Sequence, residues 1–143
     1  MTAEPRIRIV EGPGARDYAD PILRPLDVYN RQQTGDGDWH AFAIVLEDPD
    51  TGAVTGGCFG VADYGWCFVK FLVVPEPYRG TGLGTRLMAE AEAIARRREC
   101  KGIWLDTFEF QAKPFYEKLG FRVFGELEGG PEAYARYFLK KVF

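Results

Sequence analysis

The sequence predicts an α/β (α+β) fold with a mixed central sheet of about seven strands and helices on both faces. Short apolar runs separated by Gly- and Pro-containing turns recur along the chain, which is typical of a domain rich in strands. An amphipathic helix over residues 82–99 lies between apolar strands at 66–74 and 102–107, and such a unit makes a parallel crossover. At 143 residues, 46% of them hydrophobic, the chain has enough apolar material for one core, so a single domain over 1–143 is expected.

The first elements are predicted to be a strand and a pair of helices. Ile7 and Ile9 alternate with arginines, which indicates a strand. Residues 15–33 have helical spacing, but Pro21 and Pro25 predict a break into two short helices.

Alternation and turn signals define the remaining elements. Strands are predicted at 40–46, 54–61, 66–74, 102–107, 121–127 and 134–142. The Asp-Pro-Asp-Thr-Gly segment at 48–52 indicates a hairpin between the first two of these. In the helix over 82–99, apolar side chains recur every three or four positions, and a shorter helix begins around Pro114 and ends at Gly120.

The charge balance and the cysteines limit the kinds of partner. A net charge of −3 argues against a nucleic acid or an anionic membrane as the main partner and is compatible with a cationic amine. Cys58, Cys67 and Cys100 are odd in number and the chain has one histidine, so a metal site is not expected. Three free thiols, with no signal or membrane-spanning pattern, predict a cytoplasmic protein. A homodimer is left open.

A glycine-rich turn joins the strand at 66–74 to the long helix. Its sequence is Arg79-x-x-Gly82-x-Gly84, and two prolines precede it. The N–H groups in the first turn of a helix have no partners inside the helix, and glycine lets a ligand come close to the backbone. The helix dipole adds partial positive charge, so the turn is suited to bind a phosphate group.

Two other kinds of phosphate-binding turn fit this sequence less well. A nicotinamide-dinucleotide turn would use an acidic residue about 20 residues further on, and Asp106 has that position. However, Thr85 replaces the third glycine, the two prolines lengthen the link, and the chain has no second half of a doubly wound domain. A phosphate-loop NTPase is excluded because no Gly-Lys-Ser/Thr follows.

The turn resembles the acyl-CoA pyrophosphate loop of the GNAT superfamily of N-acetyltransferases, and the predicted element order matches that fold along nearly the whole chain. The resemblance implies acetyl-CoA as cosubstrate, with no metal. It implies that the pyrophosphate lies on the amides of the turn, and that the pantetheine arm pairs with the strand end like an extra strand. On this basis the residues assigned to acetyl-CoA are Leu72, Val73, Val74, Arg79, Gly80, Thr81, Gly82, Leu83, Gly84 and Thr85.

A second segment, Phe-Tyr-Glu-Lys-Leu-Gly-Phe at 115–121, resembles the Phe-Tyr-x-Lys-x-Gly-Phe segment that follows the fifth strand in many members of this family. The resemblance implies that Tyr116 gives a proton to the departing thiolate as a general acid. Its place on the apolar face of the short helix also fits a core aromatic residue. The sequence leaves both interpretations open.

The base that takes the proton of the amine is less well defined. Many family members carry an acid on the strand before the loop, but residues 66–74 contain none, and Lys70 occupies part of that strand. Asp106, on the next strand, is the leading candidate, although it fits equally well as a strand-end residue that bonds the following turn. The weaker candidates are Glu109, Asp63, Glu47 or a chain of waters.

The sequence therefore predicts an acetyl-CoA-dependent N-acetyltransferase that acetylates a primary amine, on a small molecule or a peptide, by direct attack. A backbone N–H near Val73 would polarise the thioester carbonyl. A non-catalytic acyl-CoA-binding module and, less favoured, a dinucleotide-binding protein stay open. The C-terminal segments resemble small bacterial members of mostly unassigned substrate, so the acceptor is not identified. Asp36 and Asp38 either attract a cationic acceptor or only keep their loop soluble.

Overall fold

The computed structural model describes residues 3–35 and 39–143. The chain divides into two compact units, Met1–Gly37 and Asp38–Phe143. No helix in the described ranges is both long enough and apolar enough to cross a membrane.

The N-terminal unit contains a 3-10 helix, Pro13–Tyr18, followed by helix α1, Ala19–Thr34. The predicted break into two helices is wrong, because α1 runs through Pro25. Pro21 lies in the first turn, where its missing N–H costs no intrahelical bond, and Pro25 removes one bond from a helix of 16 residues. The helix ends at Gly35, which has φ of 82°.

The strand predicted at Ile7 and Ile9 is also wrong, since residues 3–11 form no strand. Alternation of apolar and polar side chains gives a segment two different faces. The segment forms a strand only when its backbone N–H and C=O groups pair with another strand. No described strand pairs with this segment.

Within residues 39–143, six strands form one sheet, rather than about seven. They are β1 His40–Glu47, β2 Val54–Asp63, β3 Trp66–Val73, β4 Gly102–Phe108, β5 Arg122–Leu127 and β6 Arg136–Val142. Their order is β1-β2-β3-β4-β6-β5, and β3 pairs with β4 in parallel while the other neighbours are antiparallel. The mixed α/β fold class and the parallel crossover are therefore confirmed.

Two helices accompany these strands. Helix α2, Leu83–Arg97, forms the crossover between β3 and β4, and helix α3, Lys113–Lys118, connects β4 to β5. The hairpin predicted at 48–52 is present: the Asp48 carboxylate accepts hydrogen bonds from the N–H groups of Asp50 and Thr51, at 2.8 and 3.0 Å. This side chain therefore fixes the turn between β1 and β2.

The core lies on one face of the sheet. Alternate strand residues point into it, and α2 contributes its small and apolar stripe, so the two pack closely. The cluster includes the strand residues Cys67, Val69, Ile103, Leu105 and Leu139 and the helix residues Leu87, Met88, Ala91, Ala95 and Tyr116. Burial of each large aliphatic side chain contributes about 1.5–3 kcal/mol, which makes this face the main source of stability.

A bulge in β3 interrupts its pairing with β2, and the pairing of β3 with β4 stops close to the same point. In the pairing of β2 with β3, Phe59 faces Phe71 but Gly60 faces Val69, so Lys70 is left without a partner. The parallel pairing of β3 with β4 stops at Val69, opposite Leu105, although both strands continue. The ends of β3 and β4 therefore separate, and β3 keeps an open edge in the gap.

Candidate active site

A cleft of about 830 Å³ lies where β3 and β4 separate. Its walls come from the end of β3, the glycine-rich turn, the end of β4 and α3. They include nearly the whole predicted acetyl-CoA set and both catalytic candidates. The lining residues are Lys70, Phe71, Leu72, Val73, Val74, Tyr78, Arg79, Gly80, Gly82, Gly84, Thr85, Asp106, Thr107, Phe110, Gln111, Ala112, Phe115 and Tyr116.

The glycine-rich turn delivers the N-terminus of α2 to one end of this cleft. Gly80 and Gly82 have φ of 79° and 87°, a left-handed conformation that side chains rarely adopt. Gly82 caps the helix, and the first intrahelical bond recorded at this end runs from the Arg86 N–H to the Gly82 carbonyl, at 3.1 Å. The amides before Arg86 are those that the helix leaves unpaired. A Cβ on either glycine would meet nothing within 4 Å, so the space in front of the turn is open.

Side chains within the turn hold it in place. The Arg79 Nε donates to the carbonyl of Val74 at 3.1 Å, and the Thr81 hydroxyl donates to the carbonyl of Tyr78. Arg79 therefore braces the strand end as well as lining the cleft.

Gly84 is small for a different reason from Gly82. A Cβ there would lie 3.2 Å from the ring of Phe115 and 3.6 Å from the side chain of Val74. The missing side chain therefore allows α2 and α3 to approach each other.

Tyr116 lies in the core and also lines the cleft, so the two interpretations of the sequence are compatible. Its side chain is buried, and the rings of Phe115 and Phe121 lie at centroid distances of 5.1 and 5.9 Å. Burial, followed by the nearby Cys58 and Asp106 groups, raises the pKa of Tyr116 from 10.0 to about 12. The phenol therefore keeps its proton at neutral pH.

Asp106 lies on the opposite face of the sheet from the core, because it alternates with the buried Leu105 and Thr107. Its Oδ1 accepts a hydrogen bond from the Arg136 Nε at 3.0 Å and lies 2.8 Å from Nη2 in an ion pair. The guanidinium lies over the ring of Phe108 at 5.2 Å. Because β3 and β4 have separated, Asp106 and Tyr116 face one cleft from opposite sides of the sheet.

The sequence did not predict four residues found around this end of the cleft: Arg136, Phe110, Gln111 and Thr107. Arg136 belongs to the alternating pattern of β6, but nothing local shows that β6 is the neighbour of β4. The other candidate bases, Glu109, Asp63 and Glu47, are not among the residues that line the cleft. Asp36 and Asp38 lie outside the described residues.

The buried cysteines are poor nucleophiles. Burial raises the pKa of the Cys58 thiol to about 11 and that of Cys67 to about 12. Among the described residues, no three His, Cys, Asp or Glu side chains are placed to hold a metal ion.

Comparison with known proteins assigns the chain to a family. Residues 14–121 match the model of the acetyltransferase (GNAT) family. Acetyltransferase Atu2258 of Agrobacterium fabrum is 40% identical over 106 residues, which is 74% of this chain and 77% of that protein. Blasticidin-S acetyltransferase of Streptomyces morookaense is 34% identical over 124 residues, 85% of this chain and 81% of that protein.

Solved structures agree with this assignment. A crystal structure of an acetyltransferase from Agrobacterium tumefaciens superposes with a TM-score of 0.83 at 33% identity, over 99% of this chain and 100% of that chain. One from Bacillus cereus gives a TM-score of 0.76 at 30% identity, over 96% and 98% of the two chains. The protein therefore belongs to the GNAT family of acetyl-CoA-dependent acetyltransferases.

Proposed function

We propose that this protein transfers the acetyl group of acetyl-CoA to a primary amine of a small molecule by direct attack. One observation carries the proposal: a single cleft joins a glycine-capped helix N-terminus to an opening in the sheet, and both Tyr116 and Asp106 line this cleft.

The residues at one end of the cleft fit the phosphates and the pantetheine arm of acetyl-CoA. The pyrophosphate would lie on the amides from Arg79 to Thr85, where the left-handed glycines leave open space and the helix dipole favours negative charge. The arm would pair with the backbone of 72–74, which lies beyond the point where the pairing of β3 with β4 stops. A cleft of about 830 Å³ lies within the usual range for ligand sites.

The two catalytic candidates divide the proton transfers between them. Acetyl-CoA supplies an acetyl group activated as a thioester. The acceptor amine approaches from the Asp106 side, where the carboxylate or a water held by it takes the proton that the amine must lose. On the other side, Tyr116 is protonated at neutral pH and donates to the departing sulfur. The second proton, which nitrogen loses after the attack, replaces the one that Tyr116 gives up, so the base keeps one proton and the thiol carries the other. A backbone N–H near Val73 would polarise the carbonyl.

Direct attack is supported by the poor reactivity of the buried thiols. Cys58 is close enough to influence Tyr116, but its raised pKa keeps it protonated. Catalysis would then rest on positioning and proton transfer, with no acyl-enzyme. A primary amine on a small molecule is favoured because one relative is named for blasticidin-S. We place the reaction in the cytoplasm, since Cys58 and Cys67 are buried thiols that form no disulfide.

The experiment is a thiol-release assay with acetyl-CoA and a panel of primary amines, with acetyl-CoA binding measured in parallel by calorimetry. We expect tight binding of acetyl-CoA and amine-dependent release of CoA. Binding without release for any amine would overturn the proposal and favour a non-catalytic acyl-CoA-binding protein. Binding of NADPH in preference to acetyl-CoA would favour a dinucleotide site instead.

A further inference from the structure

Three aromatic rings, Phe108, Phe110 and Tyr134, form a wall at the Asp106 end of the cleft. The Phe110 ring stacks on Phe108 with centroids 5.5 Å apart and an interplanar angle of 12°. It meets Tyr134 edge-on at 4.9 Å. Phe110 lines the cleft, yet 62% of it is exposed, and Tyr134 is 66% exposed.

Hydrogen bonds hold this aromatic wall in place. The side-chain oxygen of Gln111 accepts from the Phe108 N–H at 2.7 Å and from the Thr107 hydroxyl at 3.3 Å. The Glu109 N–H donates to the carbonyl of Ala135 at 2.9 Å, which ties the turn carrying Phe110 to the segment carrying Tyr134. Single exposed apolar side chains are common on protein surfaces, but rings that pack into one exposed patch at the side of a cleft mark a binding surface.

The wall is continuous with the charged pair at the opening. Arg136 bonds to the Asp106 carboxylate and lies over Phe108, the ring on which Phe110 stacks. A ligand on this side therefore meets a carboxylate oxygen at the gap and then a flat apolar face. An amine fits the first feature and a planar ring fits the second.

We propose that the acceptor is an amine carried by a short linker on a planar aromatic or heteroaromatic ring, which stacks on Phe110 while its nitrogen lies near Asp106. This inference deepens the proposed function and rests on it. Phe110 would then determine specificity, since it lies beside the ligand and away from the bonds that change.

Binding to the CoA-saturated protein tests the inference without turnover. Dissociation constants would be measured by calorimetry for benzylamine, phenethylamine and phenylpropylamine, and for their cyclohexyl counterparts, which have the same linkers but no flat ring. We expect at least one aromatic amine to bind about three- to tenfold more tightly than its counterpart, the range typical of an aromatic contact. Phe110→Leu should remove that preference.

Phe124→Leu is the matched control, because Phe124 is also a half-exposed ring, 50% exposed, packed near Trp104 and Phe138 but not lining the cleft. It should keep the preference. Equal affinity for flat and saturated amines in the wild type, or a preference that survives Phe110→Leu, would overturn the subsite. Acetylation of amines without any aromatic preference refutes the subsite alone, whereas an aromatic binding preference without acetylation of any amine refutes the proposed function alone.

Discussion

Replacing Tyr116 by phenylalanine removes one hydroxyl and keeps the ring, so it separates the chemical role from the packing role. The variant ring can keep both contacts, with Phe115 and Phe121 at 5.1 and 5.9 Å. We therefore expect the free energy of unfolding near neutral pH to change by less than about 1 kcal/mol. The kcat should fall by about 10²- to 10⁴-fold, the usual contribution of a general acid, while the Kd for acetyl-CoA stays within a few fold.

The same substitution has a second signature at high pH. The pKa of Tyr116 is raised from 10.0 to about 12, first by burial and then by Cys58 and Asp106. The unfolded chain therefore releases this proton at lower pH than the folded one, and the wild type loses stability relative to the variant as pH rises from about 10 to 12. With these values the difference is about 1 kcal/mol at about pH 11 and vanishes below about pH 9.

Two assays check these expectations: thiol release for kcat, and urea unfolding of both proteins at neutral pH, near pH 9 and near pH 11. Tyr64→Phe is the control, since Tyr64 is 55% exposed at the hairpin between β2 and β3 and should show neither effect. An unchanged kcat together with lower stability would make Tyr116 a core residue only. If the Tyr116→Phe variant gains no stability relative to the wild type near pH 11, the phenol is not buried as the structure places it.

Three other substitutions test the cleft. Gly82→Val should remove most of the affinity for acetyl-CoA, because it fills the open space before the turn at φ of 87°; Gly65→Val has similar backbone strain, at φ of 86°, and should leave the affinity unchanged. If calorimetry finds the two variants equal, the pyrophosphate site is wrong. Gly84→Ala should lower stability by about 1 kcal/mol in thermal unfolding, because its Cβ would lie 3.2 Å from Phe115, and Phe115→Leu should relieve the loss. If the stability losses of Gly84→Ala and Phe115→Leu simply add in the double variant, the contact between these two positions is contradicted. Asp106→Asn should suppress turnover near neutral pH and recover as pH rises toward about 10, where more of an alkyl amine is unprotonated. A defect that does not shrink with pH would remove Asp106 as the base.

The sequence by itself determined the features that depend on neighbours along the chain. The helix over 82–99, the two strands around it and the glycine turn are local patterns, and each agrees with the structure to within a few residues. The left-handed conformation of Gly82 is local too, because only glycine adopts it without strain. The family resemblance followed from these segments, and the family model matches one stretch, residues 14–121, that contains them.

The tertiary structure decided what depends on residues far apart in sequence. Asp106 meets Arg136 because β6 pairs with β4, a register that no local pattern encodes. The gap that forms the cleft lies where the pairing of β3 with β4 stops at Val69 and Leu105, which is a relation between two strands and not a property of either one. The strand predicted at Ile7 and Ile9 was wrong for the same reason. Alternating side chains show which face of a segment is apolar, but not which strand would pair with it. Periodicity and turn chemistry arise from a few consecutive residues, whereas strand pairing is a competition among distant segments that only the folded chain resolves.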